Sequence, residues 1–108
     1  MKEREIETLL REGIKKMGGR AYKWVSPGNA GVPDRIVILP GGRIVFVELK
    51  QESGRLTRLQ KVQQEQLTRL KVPVATLYGA ADVYRFLDWA KEHSTYDLPA
   101  ARVSTVLH

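Results

Sequence analysis

The chain has 108 residues, 43% of them hydrophobic, and its 18 Lys and Arg against 12 Asp and Glu give a net charge of +6. This length predicts one domain with an ordinary hydrophobic core and excludes wholesale disorder. The chain contains no cysteine, which excludes disulfide scaffolds, cysteine-ligated zinc sites and thiol nucleophiles. A metal ion would therefore have to be held mainly by carboxylates.

The first half of the chain predicts a helix followed by three strands. Apolar residues recur at helical spacing over residues 2–17, and Gly18 and Gly19 supply the stop. A short strand over 21–25 is followed by a loop rich in turn formers. Residues 34–39 and 43–50 are rich in Ile and Val and flank Pro40-Gly41-Gly42, a hairpin signal, so we expect two antiparallel strands. Both strands are apolar on both faces, which predicts central strands covered on two sides.

The second half predicts a helix, a strand and a helix. Leu56, Leu59, Leu67 and Leu70 mark the second helix, residues 74–78 form a strand, and a third helix follows. The element order is α-β-β-β-α-β-α, an α/β (α+β) fold, in a domain that we expect to span residues 1–93. Residues 94–108 form a tail without assigned structure, although 102–107 favours a strand by composition.

Charged residues stand where the strand pattern should have stayed apolar. Glu48 and Lys50 are two positions apart, so they share one face of their strand. Antiparallel pairing across the hairpin brings Asp34 opposite that end. A buried ion pair adds little stability over apolar residues, whereas converging carboxylates and an ammonium group suit a metal site. The alternative for each residue alone is an ordinary turn or strand end.

These residues carry a family resemblance. Gly31-Val32-Pro33-Asp34 with Glu48-Leu49-Lys50 resembles the Pro-Asp…(Asp/Glu)-x-Lys signature of the restriction-endonuclease-like superfamily. Residues 22–28, 31–35, 41–43 and 46–50 are similar, in order, to the VRR-NUC family of virus-type replication-repair nucleases. The resemblance covers about residues 3–90 and implies a mixed sheet flanked by helices. It also implies DNA cleavage that leaves 5′-phosphate and 3′-hydroxyl ends.

Two further site residues are implied by the resemblance alone. A glutamate of the first helix often completes the metal site in this superfamily, and Glu7 is preferred here over Glu3. The alternative for either is a solvated acid favoured by the helix dipole. The family also favours a glutamine after Gly-x-Leu-(Ser/Thr), which is Gln60 in this chain. Thr57 and Gln60 also form a capping-box sequence, and the two roles are compatible. Gln63 is a reserve candidate for a buried polar contact.

The implied chemistry is metal-assisted phosphodiester hydrolysis. A divalent cation would be held by Asp34, Glu48 and the Leu49 carbonyl, with Glu7 as the further ligand, and oxygen ligands select Mg²⁺ or Mn²⁺. Lys50 would orient or deprotonate the attacking water. The number of metal ions stays open. The candidate DNA-binding residues are polar or basic and surround this site in the predicted fold: Arg20, Lys23, Ser26, Arg35, Arg55, Arg58 and Lys61.

Charge asymmetry agrees with a polyanionic partner, because residues 1–72 hold 15 basic and 8 acidic side chains. Charge alone leaves a merely solubilising surface equally open. The preferred function is a Mg²⁺-dependent endonuclease of branched DNA, a Holliday junction resolvase acting as a homodimer in the cytoplasm of a bacterial or phage-infected cell. The rival is a basic DNA-binding or accessory module without cleavage. The third helix with Trp89, or the tail, would supply the dimer interface, and the sequence predicts no membrane segment.

Overall fold

The computed structural model describes residues 1–95. The predicted strand-like stretch over 102–107, and nearly all of the tail expected over 94–108, lie outside the described residues. Within residues 1–95 the predicted element order is confirmed. The elements are α1 (Glu3–Lys16), β1 (Arg20–Lys23), β2 (Arg35–Ile38), β3 (Ile44–Lys50), α2 (Arg58–Arg69), β4 (Val74–Tyr78) and α3 (Gly79–Glu92).

The four strands form one mixed sheet in the order β1-β2-β3-β4. β2 runs antiparallel to both β1 and β3, and Arg35 pairs with Val47 in the β2–β3 register. β4 returns through α2 to lie parallel to β3, with Thr76 beside Glu48. The hairpin expected around Pro40-Gly41-Gly42 is therefore confirmed, and it places the start of β2 beside the end of β3.

One face of the sheet carries the hydrophobic core. Alternate strand residues such as Val37, Val45 and Val47 point to this face, where α1 and α3 pack over them. α1 contributes Ile6, Leu10 and Ile14, and all three are fully buried. This spacing of three and four residues is what places one apolar stripe of a helix against a sheet. The mixed α+β architecture implied by the sequence is confirmed.

The opposite face is covered only in part. α2 lies over it at β3 and β4, where Gln64 exchanges hydrogen bonds with Thr76 at 2.9 and 3.2 Å, but none of the residues of α2 is buried. Ile44 of β3 remains 44% exposed. The expectation that both central strands are covered on two sides is therefore wrong, because the apolar side chains on this face lack a second helix.

Trp89 lies within a stack of rings at the end of α3. Its ring centroid is 5.6 Å from that of Phe86 and 4.4 Å from that of His93, and the Arg43 guanidinium lies 5.9 Å from its centre. Half-buried Trp89 thus packs against its own chain.

No helix in the described range, residues 1–95, has the length and apolar character needed to cross a membrane.

Candidate active site

The candidate active site lies where β2 begins and β3 ends. Because Arg35 pairs with Val47, Asp34 stands one step further along, across from Glu48. The backbone N–H of Leu49 donates to Asp34 Oδ2 at 3.0 Å, which ties the Asp34 side chain to the neighbouring strand. The two carboxylates predicted to meet at this edge are therefore brought together.

Glu48 is the most constrained acid of the site, since only 2% of it is exposed. Its Oε2 accepts a hydrogen bond from Gln60 Nε2 at 3.0 Å and lies 3.8 Å from Lys50 Nζ. Its Oε1 is buried without a hydrogen-bond partner among the described residues. Burial, followed by the neighbouring Asp34 carboxylate, raises the pKa of Glu48 to about 8 although Lys50 acts in the opposite direction.

The oxygen atoms of Asp34, Glu48 and the Leu49 carbonyl are ligands that suit a hard divalent cation. A cation would satisfy the unpartnered Glu48 Oε1 and offset the repulsion between the two carboxylates, and the Leu49 carbonyl would add a third oxygen. Mg²⁺ commonly binds one or two carboxylates and keeps several waters. Within residues 1–95, no group of three or more His, Cys, Asp or Glu side chains is close enough together to hold a metal ion.

Glu7 of α1 is directed to Arg35. The Arg35 guanidinium forms a salt bridge with the Glu7 carboxylate, and its Nη1 donates to the Ala21 carbonyl at 3.2 Å. Arg35 is only 6% exposed, since strand alternation turns it to the face opposite Glu48, beneath α1. The guanidinium of Arg35, which was expected to contact phosphates, is thus engaged by Glu7 and the Ala21 carbonyl, and its burial lowers its pKa.

A cavity of about 190 Å³ opens at this end of the sheet. Glu3 lines it and has no cation within salt-bridge distance among the described residues, whereas Glu7 is paired there with Arg35. Glu3 also contributes to the raised pKa of Glu48. Of the two α1 acids that line the cavity, Glu3 is therefore the one whose charge is not paired in a salt bridge among the described residues. The full lining is Glu3, Glu7, Lys23, Trp24, Asp34, Arg35 and Leu49.

Gln60 connects the start of α2 to Glu48. Its Oε1 accepts from the Thr57 N–H at 2.8 Å while Thr57 Oγ1 accepts from the Gln60 N–H at 3.1 Å, so the predicted capping box is confirmed. The Nε2 group of the same side chain donates to Glu48. Gln60 therefore both caps the start of α2 and contacts the buried acid Glu48.

Gly31 holds the loop before β2 against α2, a contact that sequence reasoning missed. Its φ is +90°, and a Cβ there would lie 2.6 Å from the Leu59 carbonyl carbon. Gln63 Nε2 donates to the Ala30 carbonyl at 3.4 Å beside it. The sequence signal for this contact is a glycine at the end of a turn-rich loop, just before Pro33 and Asp34. The signal does not identify the partner, because Leu59 on α2 is distant in sequence.

The other candidate DNA-binding residues divide into two places. Lys23 pairs with Arg35 at the site end of β1, whereas Arg20 pairs with Ile38 at the far end of that strand. Arg55, Arg58 and Lys61 are exposed before and along the first turns of α2. Ser26 Oγ accepts from Asn29 Nδ2 at 3.0 Å within the loop. Arg20 and Lys23 thus lie at opposite ends of β1, and of these two residues only Lys23 lines the cavity at the site.

Comparisons with known proteins show which proteins this chain resembles. No family model matches the chain. The chain is 44% identical over 77 residues to "Putative nuclease p44" of Acyrthosiphon pisum secondary endosymbiont phage 1, a match that covers 71% of this chain and 83% of that protein. A solved structure titled as a VRR-NUC domain is 29% identical with a TM-score of 0.71, covering 86% of this chain and 97% of its own.

A second solved VRR-NUC domain protein has a TM-score of 0.70 and covers 90% of this chain and 93% of its own, and at 19% identity it bears on the fold alone. The sequence match to a phage protein named as a nuclease and the likeness of the fold point to the same family. The chain belongs to the VRR-NUC family of nucleases.

Proposed function

We propose that this protein is a Mg²⁺- or Mn²⁺-dependent endonuclease that hydrolyses phosphodiesters in branched DNA, as a Holliday junction resolvase. The observation that carries the proposal is the Glu48 carboxylate, which is buried beside Asp34 and Lys50 with Oε1 unpartnered among the described residues. A protein that only bound DNA would gain nothing from two carboxylates facing a polyanion. The phage relative named as a nuclease supports the same reading.

Each residue of the site has a role in this chemistry. Asp34 and Glu48 would hold the cation with the Leu49 carbonyl, and a bound cation supplies charge stabilisation for the transition state and a more acidic water. Lys50 Nζ, 3.8 Å from Glu48 Oε2, would orient the attacking water or accept its proton. Gln60 positions Glu48. Glu3, which has no salt-bridge partner among the described residues, is the helix carboxylate best placed to assist.

DNA would approach the site end of the sheet. Lys23 lines the cavity, and Arg55, Arg58 and Lys61 are exposed just before and along the start of α2, the helix whose Gln60 contacts Glu48. Such cations position phosphates without reading bases, so base sequence should matter little. Cleavage is expected to leave 5′-phosphate and 3′-hydroxyl ends, the outcome implied by the family.

Two copies are needed for the paired incisions of a four-way junction. Residues 1–95 contain one such site, so symmetric cuts call for a homodimer with a two-fold axis. The phage origin of the 44% identical relative supports action in the cytoplasm of a bacterial or phage-infected cell.

The test compares substrates and metals. Purified protein is incubated with labelled four-way junction, flap and linear duplex, with Mg²⁺, with Mn²⁺ or with a chelator. We expect metal-dependent paired cleavage of the junction in preference to the duplex. Binding without cleavage under every metal condition would instead identify a DNA-binding module, and preference for flaps or linear ends would overturn the resolvase assignment alone.

A further inference from the structure

The face of α2 that is turned to the sheet consists mainly of glutamine side chains. None of the residues of this helix is fully buried, and four of them are half-buried at the spacing of one helical face: Gln60, Gln63, Gln64 and Leu67. A helix usually docks on a sheet through an apolar stripe, as α1 does in this protein. α2 is therefore attached to the sheet largely through amide groups.

Two of these amides bond to neighbouring strands. Gln60 Nε2 donates to Glu48 of β3 at 3.0 Å. Gln64 contacts Thr76 of β4 through both ends of its amide: its Nε2 donates to Thr76 Oγ1 at 2.9 Å, and this hydroxyl donates to Gln64 Oε1 at 3.2 Å. Because both ends of the Gln64 amide are engaged by one hydroxyl, its orientation relative to β4 is fixed.

The two contacts match one another in spacing. Gln60 and Gln64 are four residues apart, so they lie on one face of α2 about 6 Å apart along the helix axis. Their partners are side by side, because Glu48 pairs with Thr76 in the parallel β3–β4 register and neighbouring strands are about 4.8 Å apart. When Gln64 is bonded to Thr76, Gln60 therefore lies over Glu48, and a helix displaced by one residue would lose this alignment.

We propose that Thr76 and Gln64 are positioning residues for the reaction, which hold α2 where Gln60 can donate to Glu48. This inference rests on the proposed function, in which Glu48 is a metal ligand. Apolar packing has no preferred direction and would let α2 slide, whereas a hydrogen bond weakens steeply when its donor and acceptor move out of line. A side chain bonded to a metal-ligating carboxylate orients that carboxylate, so Thr76 acts on the site through Gln60.

The alternative explanation for Thr76 is its shape, because threonine and valine are both branched at Cβ and both are favoured in strands. Thr76→Val keeps that shape and removes the hydroxyl, so half-buried Gln64 loses both of its bonds to β4. Thr76→Ser keeps the hydroxyl and removes a methyl group. If the shape of Thr76 is what matters, the serine variant is the damaging one, and if the hydroxyl positions α2, the valine variant is.

The first test observes the Gln60 amide directly and needs neither metal nor DNA. In nitrogen–proton NMR spectra of the full chain, the side-chain NH₂ signals of Gln60 are those missing from Gln60→Met. In Thr76→Val we expect these signals to shift toward those of exposed Gln66, while Thr76→Ser leaves them in place. Thr68→Val, which removes the hydroxyl of an exposed threonine on the same helix, is the control and should not move them. Unmoved Gln60 signals in Thr76→Val would overturn the proposal.

The second test is a double-mutant cycle on cleavage, with the DNA that the wild type cleaves best. Thr76→Val should lower kcat by about tenfold or more, because small displacements away from the reacting atoms disturb the reacting geometry. In the Gln60→Met background the same change should lower kcat by less than about twofold, since its effect is transmitted through Gln60. Equal losses in the two backgrounds would show that Thr76 acts by another route and would refute the positioning role.

Gln64→Met covers the case in which Thr76→Val is too unstable to study. Position 64 is half-buried on a helix without buried residues, so this change leaves the core formed with α1 and α3 untouched. It removes the same pair of hydrogen bonds from the other partner. We expect the same shift of the Gln60 signals and the same loss of kcat, and a Gln64→Met variant that matches the wild type in both would refute the proposal.

The outcome for the positioning role is separable from the outcome for the nuclease. If the wild type never cleaves DNA but Thr76→Val shifts the Gln60 signals, the proposed function is refuted and the control of Gln60 by Thr76 is retained. If the wild type cleaves DNA and Thr76→Val changes neither the Gln60 signals nor kcat, the positioning role is refuted and the nuclease is retained. Shifted signals with an unchanged kcat also refute the positioning role.

Discussion

Gln60 joins the N-terminal cap of α2 to the buried acid Glu48, through a 3.0 Å hydrogen bond from its Nε2 group. Its Oε1 is occupied by the Thr57 N–H, so the amide cannot rotate without losing one bond or the other. The capping box therefore fixes which end of the amide faces Glu48. A glutamate at this position could still accept from Thr57 but could no longer donate to Glu48.

This relationship predicts that Gln60→Glu separates the two roles. The capping box is retained, but the new carboxylate adds negative charge beside Glu48, and we expect cleavage to fall by about tenfold to a hundredfold. Thr57→Ala is the matched control, expected to cost about 1 kcal/mol of stability while leaving most of the activity. Rates are measured with saturating junction DNA, and unfolding by denaturant. Equal cleavage losses in both variants would show that only the helix start matters.

We predict that Asp34→Asn and Glu48→Gln each lower metal-dependent cleavage by at least about a hundredfold and largely preserve DNA binding. Each change removes negative charge from the site and leaves the surrounding cations intact. Lys50→Ala should behave similarly. Single-turnover cleavage and electrophoretic mobility shifts provide the two readouts, and wild-type rates in these variants would mean that the site has been assigned wrongly.

The raised pKa of Glu48 predicts a pH dependence of stability in the absence of metal. Its folded pKa of about 8 lies above the ordinary value of 4.5, so between these values the folded state binds more protons than the unfolded state. Stability should therefore fall as pH rises from about 4.5 to 8. Denaturant unfolding across this range should show the decline in the wild type and a flatter profile in Glu48→Gln. A wild-type profile that rises over this window would contradict it.

Glu7 and Glu3 of α1 should contribute differently, Glu7 to stability and Glu3 to metal affinity. Glu7→Gln breaks a charge pair with buried Arg35, so we expect a loss of about 1–3 kcal/mol in stability. Glu3→Gln should leave stability nearly unchanged and alter Mn²⁺ affinity, measured by calorimetry, because Glu3 acts on Glu48. If Glu7→Gln instead weakens Mn²⁺ binding at unchanged stability, Glu7 is the acid that serves the metal.

DNA binding should weaken as salt rises, because phosphate contacts release counterions. Lys23→Ala and Arg55→Ala should each reduce the slope of log K against log salt by about one. Lys91→Ala, in the groove between α1 and α3, is the control and should leave the slope unchanged. A binding constant that does not vary with salt would show that Lys23 and Arg55 do not contact DNA phosphates.

The fold was predictable where local signals and strand periodicity agree. The turn at Pro40-Gly41-Gly42 set the β2–β3 register, and that register alone brought Asp34 across from Glu48. The same alternation implies that Arg35, next to Asp34, turns to the opposite face of the sheet from Glu48, beneath α1. By contrast, the salt bridge from Glu7 to Arg35 depends on how α1 crosses the sheet, which periodicity does not specify.

Contacts between elements distant in sequence were also beyond prediction. Ala30 and Gln63 are 33 residues apart, and their hydrogen bond depends on where α2 lies over the sheet. The partial exposure of one face of β2 and β3 was also not predictable, because it too depends on where α2 lies over the sheet. Apolar side chains on both faces show that both faces are to be buried, but they do not show whether the cover comes from the same chain.

None of the residues of α2 is buried, which bears on the order in which the elements of the protein unfold. An element with little buried apolar area can open locally at a free energy well below that of global unfolding. Because α2 carries Gln60, such an opening would release Glu48 from its amide partner while α1, α3 and the sheet stay folded. Local opening at the active site and global unfolding are then separate equilibria, and a partner that packs against α2 raises the free energy of that local opening.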